Sequence, residues 1–111
     1  MANAKCNCRA TVLVVEDNFY NVVPLRMILK TKYDVQIDRA ENGKIGADMY
    51  KANAEKTCCT NYYKLIFMDI NMPVMDGYQS TEAIFKTFNM LSKQPKLAHL
   101  KKPVIFAMTA H

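Results

Sequence analysis

No apolar run in this sequence comes near the roughly 20 residues a helix needs to cross a bilayer. Its start, "MANAKCNCRA", has no apolar segment of the kind a secretory signal requires. A cytoplasmic protein without membrane contact is therefore expected. Internal repeats and Gly/Ser-rich linkers are also missing. The chain has 111 residues, half of them hydrophobic, so it suits one domain with a substantial core and leaves little room for a second. Acids are the scarcer charge, 10 against 15 Lys and Arg, for a net charge of +5. None follows Glu82, so Lys86, Lys93, Lys96, Lys101 and Lys102 stand unbalanced. No Arg-rich helix or aromatic-basic interleaving accompanies them. They read as a solvated helix face and loop, not as a nucleic-acid groove.

Cysteine is sparse: Cys6, Cys8, Cys58 and Cys59. Four thiolates could hold zinc if the two pairs met in space. Neither pair has the two-residue gap of a zinc knuckle. In a reducing compartment lone thiols mostly act as small apolar side chains, and that is the expectation here.

What the sequence does contain is alternation between short apolar runs and longer amphipathic ones. "TVLVV" (11 to 15) is too short for a helix and too apolar for a half-exposed strand, so it predicts a buried parallel strand. "EDNFYNVVPLRMILKTKY" offers Asn18 as a helix cap, followed by Val22, Leu25, Ile28 and Leu29 at helical spacing. Pro24 removes a hydrogen bond from that helix, at a cost of roughly 3 kcal/mol, which predicts a kink or an irregular first turn. "DVQIDRA" reads as a second, more exposed strand. "ENGKIGADMYKANAEK" reads as a helix beginning near Asn42 and weakened by Gly46. The polar loop "TCCTNY" leads to a third strand, "YKLIFMD". A turn and the helix "GYQSTEAIFKTFNML" follow, with Ile84, Phe88 and Leu91 on one face. "KKPVIFAMTAH" supplies a fourth buried strand. The connection from Asn89 to Pro103 is long, and serves either as a surface for an acidic partner or as a tolerated insertion. His99 and His111 read as surface residues.

Strands and helices alternating in this order predict right-handed crossovers and an open doubly wound parallel sheet. Such sheets place function beyond the carboxyl ends of the strands, where the strand order reverses. The residues there are Glu16 and Asp17 after the first strand and Asp69 at the end of the third. Three carboxylates brought together without a cation would repel one another, so a hard divalent ion, magnesium best of all, is expected among them. A carboxylate beside such an ion can also attack a phosphoryl group. Pro73 ends the third strand and restricts Met72 to an extended shape, and Gly77 allows a conformation other residues resist. Ordinary turn formers would do the same.

Three blocks, "VLVVEDN", "FMDINMPVMDG" and "VIFAMTAH", together resemble the receiver domain of two-component response regulators. They occur in the right order and cover residues 11–111, after an N-terminal tail of residues 1–10. The resemblance implies a flavodoxin-like sheet of strand order 2-1-3-4-5, here truncated after the fourth strand. It implies Asp69 as phosphoacceptor, and Glu16 and Asp17 as the acidic pair that handles Mg2+ beside it. The backbone carbonyl of Asn71 would complete the metal site. Thr109 matches the hydroxyl that turns toward the phosphoryl group, and Ala110 the small residue that leaves room for it. "EDN" followed by Asn21, with "MTAH", is most similar to receivers attached to hybrid histidine kinases. The implied partners are a histidine kinase or a histidine phosphotransfer domain, and the rest of a larger chain. The family's fourth helix, fifth strand and fifth helix have no counterpart here, nor does the lysine that ends its fifth strand. Lys101 and Lys102 precede the fourth strand and sit at its wrong end. A different class of function is a pseudo-receiver, a docking or dimerisation module without chemistry. A metal-dependent phosphatase is disfavoured because no second acid stands two residues after Asp69.

Overall fold

The structure, a computed structural model, describes residues 6–72 and 74–108. Its elements run β1 (Val12–Val15), α1 (Phe19–Tyr33), β2 (Ile37–Ala40), α2 (Gly43–Glu55), β3 (Leu65–Asp69), α3 (Gly77–Leu91), a 3-10 turn (Pro95–Leu97) and β4 (Val104–Met108). The strands form one parallel sheet in the order β2-β1-β3-β4, the flavodoxin-like order expected. The reversal falls between β1 and β3, where Val15 pairs with Met68.

β1 is apolar throughout because the sheet is covered on both faces. Val12 and Val14 pack with Val22, Leu25 and Leu29 of α1. Leu13 and Val15 face the other way, toward Tyr50 of α2 and Ile84 of α3. Leu13, Val14 and Val15 are all fully buried, and each contributes about 1.5–3 kcal/mol of transfer free energy.

Asn18 caps α1, its side chain accepting a hydrogen bond from the Tyr20 N–H. The helix runs through Pro24 without a break, and a tight Asn21 N–H to Asn18 carbonyl bond marks its first turn. Asp34 closes it in the left-handed region, φ 53°. Its N–H reaches the Lys30 carbonyl and the Val35 N–H reaches that of Leu29. This closure consumes the first residues of "DVQIDRA", so β2 begins only at Ile37. Asn42 caps α2 through the Ile45 N–H, as expected. Gly46 weakens that helix locally but lets it lie on β1, because a Cβ there would stand 2.8 Å from a Val15 methyl.

Two expectations need correction. The fourth strand is not buried: Val104 and Phe106 are 56% and 53% exposed, since no helix among the described residues covers β4 on the α1 side. An open apolar groove of about 510 Å³ runs there between Pro24, Leu25 and Ile28 of α1 and Phe67, Phe106 and Met108 of the sheet. The long connection from Asn89 is also more than a surface loop or tolerated insertion, because Leu97 and Leu100 drop from it into the core. No helix among the described residues is long and apolar enough to cross a membrane.

Candidate functional site

β1 leaves the sheet at Val15, and the next two residues are Glu16 and Asp17; β3 ends on Asp69 itself. Parallel pairing of these two strands puts the three carboxylates at one end of the sheet, with an oxygen of each within 4.8 Å of the others. Glu16 and Asp69 are buried and Asp17 is exposed. All three expected acids are thus brought together.

The backbone around them is held by specific bonds. The Glu16 carboxylate accepts from the Asn18 N–H at 3.1 Å, and the Glu16 N–H donates to the Ala40 carbonyl at 3.0 Å. Asp69 Oδ1 accepts from the Asn71 N–H at 3.1 Å, which places Asn71 in the turn directly after the acid. Beyond it Val74 lies in the left-handed region, φ 73°, an uncommon state for a β-branched residue. Asp76 caps α3 in a reciprocal box with Gln79. The Gly77 N–H returns to the Ile70 carbonyl at 3.0 Å. Gly77 is required for close approach: a Cβ there would stand 2.4 Å from the Asp69 carbonyl oxygen. Pro73, Thr109, Ala110 and His111 lie outside the described residues.

Arg39 was invisible to sequence reasoning. From β2 its Nε donates to the Glu16 carbonyl at 3.1 Å and its Nη2 to the Asp17 carbonyl at 3.0 Å, with the guanidinium 5.5 Å from the Phe19 ring centroid. It pins the acidic loop by its backbone and leaves the carboxylates free. Only its position one residue before the end of a neighbouring strand could have signalled this. Lys102, in contrast, lies over the Phe85 ring at the far end of β4, as its position in the sequence implied.

Electrostatically the site is unbalanced. Burial pushes the Glu16 carboxyl above the ordinary range, Asp17 and Asp69 push the same way, and the Asn18 N–H opposes them. Among the described residues the ion pairs are Lys44–Asp48 and Lys51–Glu55, both on the α2 surface and neither touching these acids. Three converging oxygen donors, with no thiolate or imidazole among the described residues beside them, suit a hard divalent cation such as magnesium.

The cysteines depart from expectation. Cys6, Cys8, Cys58 and Cys59 are not independent: their sulfurs gather within 4.8 Å of one another. Sequence spacing failed to show it because the pairs stand about 50 residues apart and meet only through the pairing of β1 with β3.

The family model of the response regulator receiver domain matches residues 12–111. Hybrid signal transduction histidine kinase B of Dictyostelium discoideum is 36% identical over 102 residues, covering 90% of this chain and 5% of that protein. Two-component response regulator 24 of Arabidopsis thaliana is 34% identical over 76 residues, covering 68% of this chain and 49% of that protein. The chain therefore spans half or less of these relatives' lengths. Among solved structures, the receiver domain of the histidine kinase CKI1 from Arabidopsis thaliana, complexed with Mg2+, superposes with a TM-score of 0.72 at 29% identity, over 92% of this chain and 68% of that one. The Saccharomyces cerevisiae co-crystal of the histidine phosphotransfer protein Ypd1 with the receiver domain of Ssk1 gives a TM-score of 0.65 at 31% identity, over 96% of this chain and 68% of that one. With its fold and its convergent acids, this chain belongs to the response regulator receiver family and is a receiver domain of two-component phosphorelay signalling.

Proposed function

We propose that Asp69 accepts a phosphoryl group from a phosphohistidine, in a step that needs magnesium. The observation that carries this reading is the convergence of Glu16, Asp17 and Asp69 within 4.8 Å where the strand order reverses. An oxygen of Asp69 attacks phosphorus, and the phosphorus–nitrogen bond to the donor histidine breaks. The imidazole leaves with that electron pair and is reprotonated, and Asp69 becomes an acyl phosphate. Glu16, Asp17 and Asp69 would hold the magnesium, and the Asn71 backbone carbonyl would complete its protein ligands. Magnesium, when bound, neutralises charge on the transferring phosphoryl oxygens. The Asn71 N–H orients Asp69 by bonding to one of its oxygens. Arg39 keeps the loop of Glu16 and Asp17 at the crevice through their carbonyls. Thr109 reads the product as a switch hydroxyl.

A histidine kinase or a histidine phosphotransfer domain is the donor, and a larger hybrid kinase is the protein this domain serves. The hybrid kinase relative and the Ypd1–Ssk1 receiver complex support that choice. The test is intact-mass spectrometry after incubation with a small phosphodonor and magnesium, beside Asp69→Asn and a metal-free control. One phosphoryl adduct that needs both Asp69 and magnesium is expected. The same adduct on Asp69→Asn would remove the central claim. No adduct on folded protein would turn the reading to a pseudo-receiver used for docking or dimerisation.

A further inference from the structure

The end of the sheet opposite the acidic crevice carries its own cluster. Cys6 and Cys8 lie on the segment entering β1, and Cys58 and Cys59 on the loop between α2 and β3. Sulfurs of Cys8 and Cys58 are 3.7 Å apart, and those of Cys58 and Cys59 are 4.0 Å apart. In a tetrahedral site with zinc–sulfur bonds of about 2.3 Å, neighbouring sulfurs stand about 3.8 Å apart. The observed separations match that edge and far exceed a disulfide bond of about 2.05 Å; all four thiols are free. Each cysteine is partly exposed, so an ion can reach it.

The surrounding backbone is already positioned. Asn61 Nδ2 donates to the Cys8 carbonyl at 2.8 Å, and the Lys64 N–H donates to that of Thr11 at 2.9 Å. Arg9 donates to the Cys6 carbonyl at 3.3 Å, and Lys56 donates to the Asn61 carbonyl. These two cations flank a site that, with four thiolates and one divalent ion, would carry two net negative charges.

We propose that Cys6, Cys8, Cys58 and Cys59 bind one zinc ion in a closed tetrathiolate site. Each thiol loses its proton to solvent as its sulfur bonds the metal, with no change of oxidation state. Four protein ligands leave no open position, so the ion is structural. It fastens the chain before β1 to the loop before β3, the two strands whose far ends deliver the acids. Residues 6–10, read from the sequence as the end of an N-terminal tail, are thereby tied into the fold.

The test begins with the 111-residue chain, reduced and stripped of metal, then titrated with cobalt(II) and zinc. One cobalt per chain is expected, with thiolate-to-cobalt charge transfer and the strong visible bands of a tetrahedral site, displaced by one zinc. X-ray absorption of the zinc form should give four sulfurs at about 2.3 Å. Cys8→Ser and Cys59→Ser should each lower zinc affinity about a hundredfold or more, one ligand's share in such a site. Asp69→Asn should keep the zinc, which separates this site from the phosphoryl chemistry at the other end. No charge-transfer band in the reduced chain at saturating cobalt overturns the proposal. So does a zinc shell with fewer than four sulfurs, or a preference for iron or copper with no zinc taken up. The wild-type spectrum decides the matter even if a serine variant fails to fold.

Discussion

Replacing Gly77 by alanine sets two effects of opposite sign against each other at the edge of the site. An alanine in place of glycine favours a helix by up to about 1 kcal/mol. The added Cβ, however, would stand 2.4 Å from the Asp69 carbonyl oxygen and 2.7 Å from the Ile70 Cα, both backbone atoms that no rotamer can move. Ordinary contact begins near 3.4 Å, so α3 or the end of β3 must give way by about 1 Å. The Gly77 N–H bond to Ile70 resists that displacement. Overpacking of this kind costs about 1–3 kcal/mol, and backbone contacts this short put it in the upper part of that range, so the clash should win and leave the variant about 1–2 kcal/mol less stable. Because the clash falls on the Asp69 carbonyl, any share of the shift taken by the end of β3 moves Asp69, and phosphoryl incorporation should slow as well, by up to about a hundredfold for a 1 Å misplacement. Urea denaturation followed by circular dichroism measures the first effect. The initial rate of mass gain with a small phosphodonor and magnesium measures the second. A Gly77→Ala protein as stable as the parent and phosphorylated at its rate would refute the reasoning.

Other outcomes follow from the same structure. Arg39→Ala frees the carbonyls of Glu16 and Asp17 without touching a carboxylate; it should weaken magnesium binding about tenfold or more, read by calorimetric titration, and leave the helical circular dichroism signal in place. The Tyr50 hydroxyl is buried with no hydrogen-bond partner among the described residues, so Tyr50→Phe should raise the urea midpoint by the equivalent of about 1 kcal/mol. Burial also pushes that hydroxyl up to about 12. A folded value above the unfolded one means its stability is complete below about pH 10 and lost as pH rises toward about 12, an effect of order 2–3 kcal/mol. Denaturation midpoints across that window should fall more steeply for the parent than for Tyr50→Phe, and parallel curves would show that the hydroxyl is not sequestered.

Much of this domain is determined by the sequence alone, wherever the deciding interactions are local. The unbroken apolar run of β1 required two covered faces, and Asn18 and Asn42 marked their helices because a side-chain oxygen satisfies an N–H two or three residues away. The order of strands and helices, with carboxylates at the ends of two strands, was enough to place the acidic crevice. Tertiary structure decided what depends on distant partners. Arg39 reaches carbonyls 22 and 23 residues earlier only because β2 lies beside β1. Gly46, which weakens its helix by local rules, is needed because that helix crosses Val15. Leu97 and Leu100 fill the core from a segment that reads as a surface loop, while Phe106 stays half exposed in a strand that reads as buried. The four cysteines show the division most clearly. Their spacing matches no local metal motif, and only the parallel pairing of β1 with β3 brings two pairs, some 50 residues apart, to one point. Capping and periodicity act over one turn of chain and can be read along it, whereas register between strands is settled by how the whole core packs.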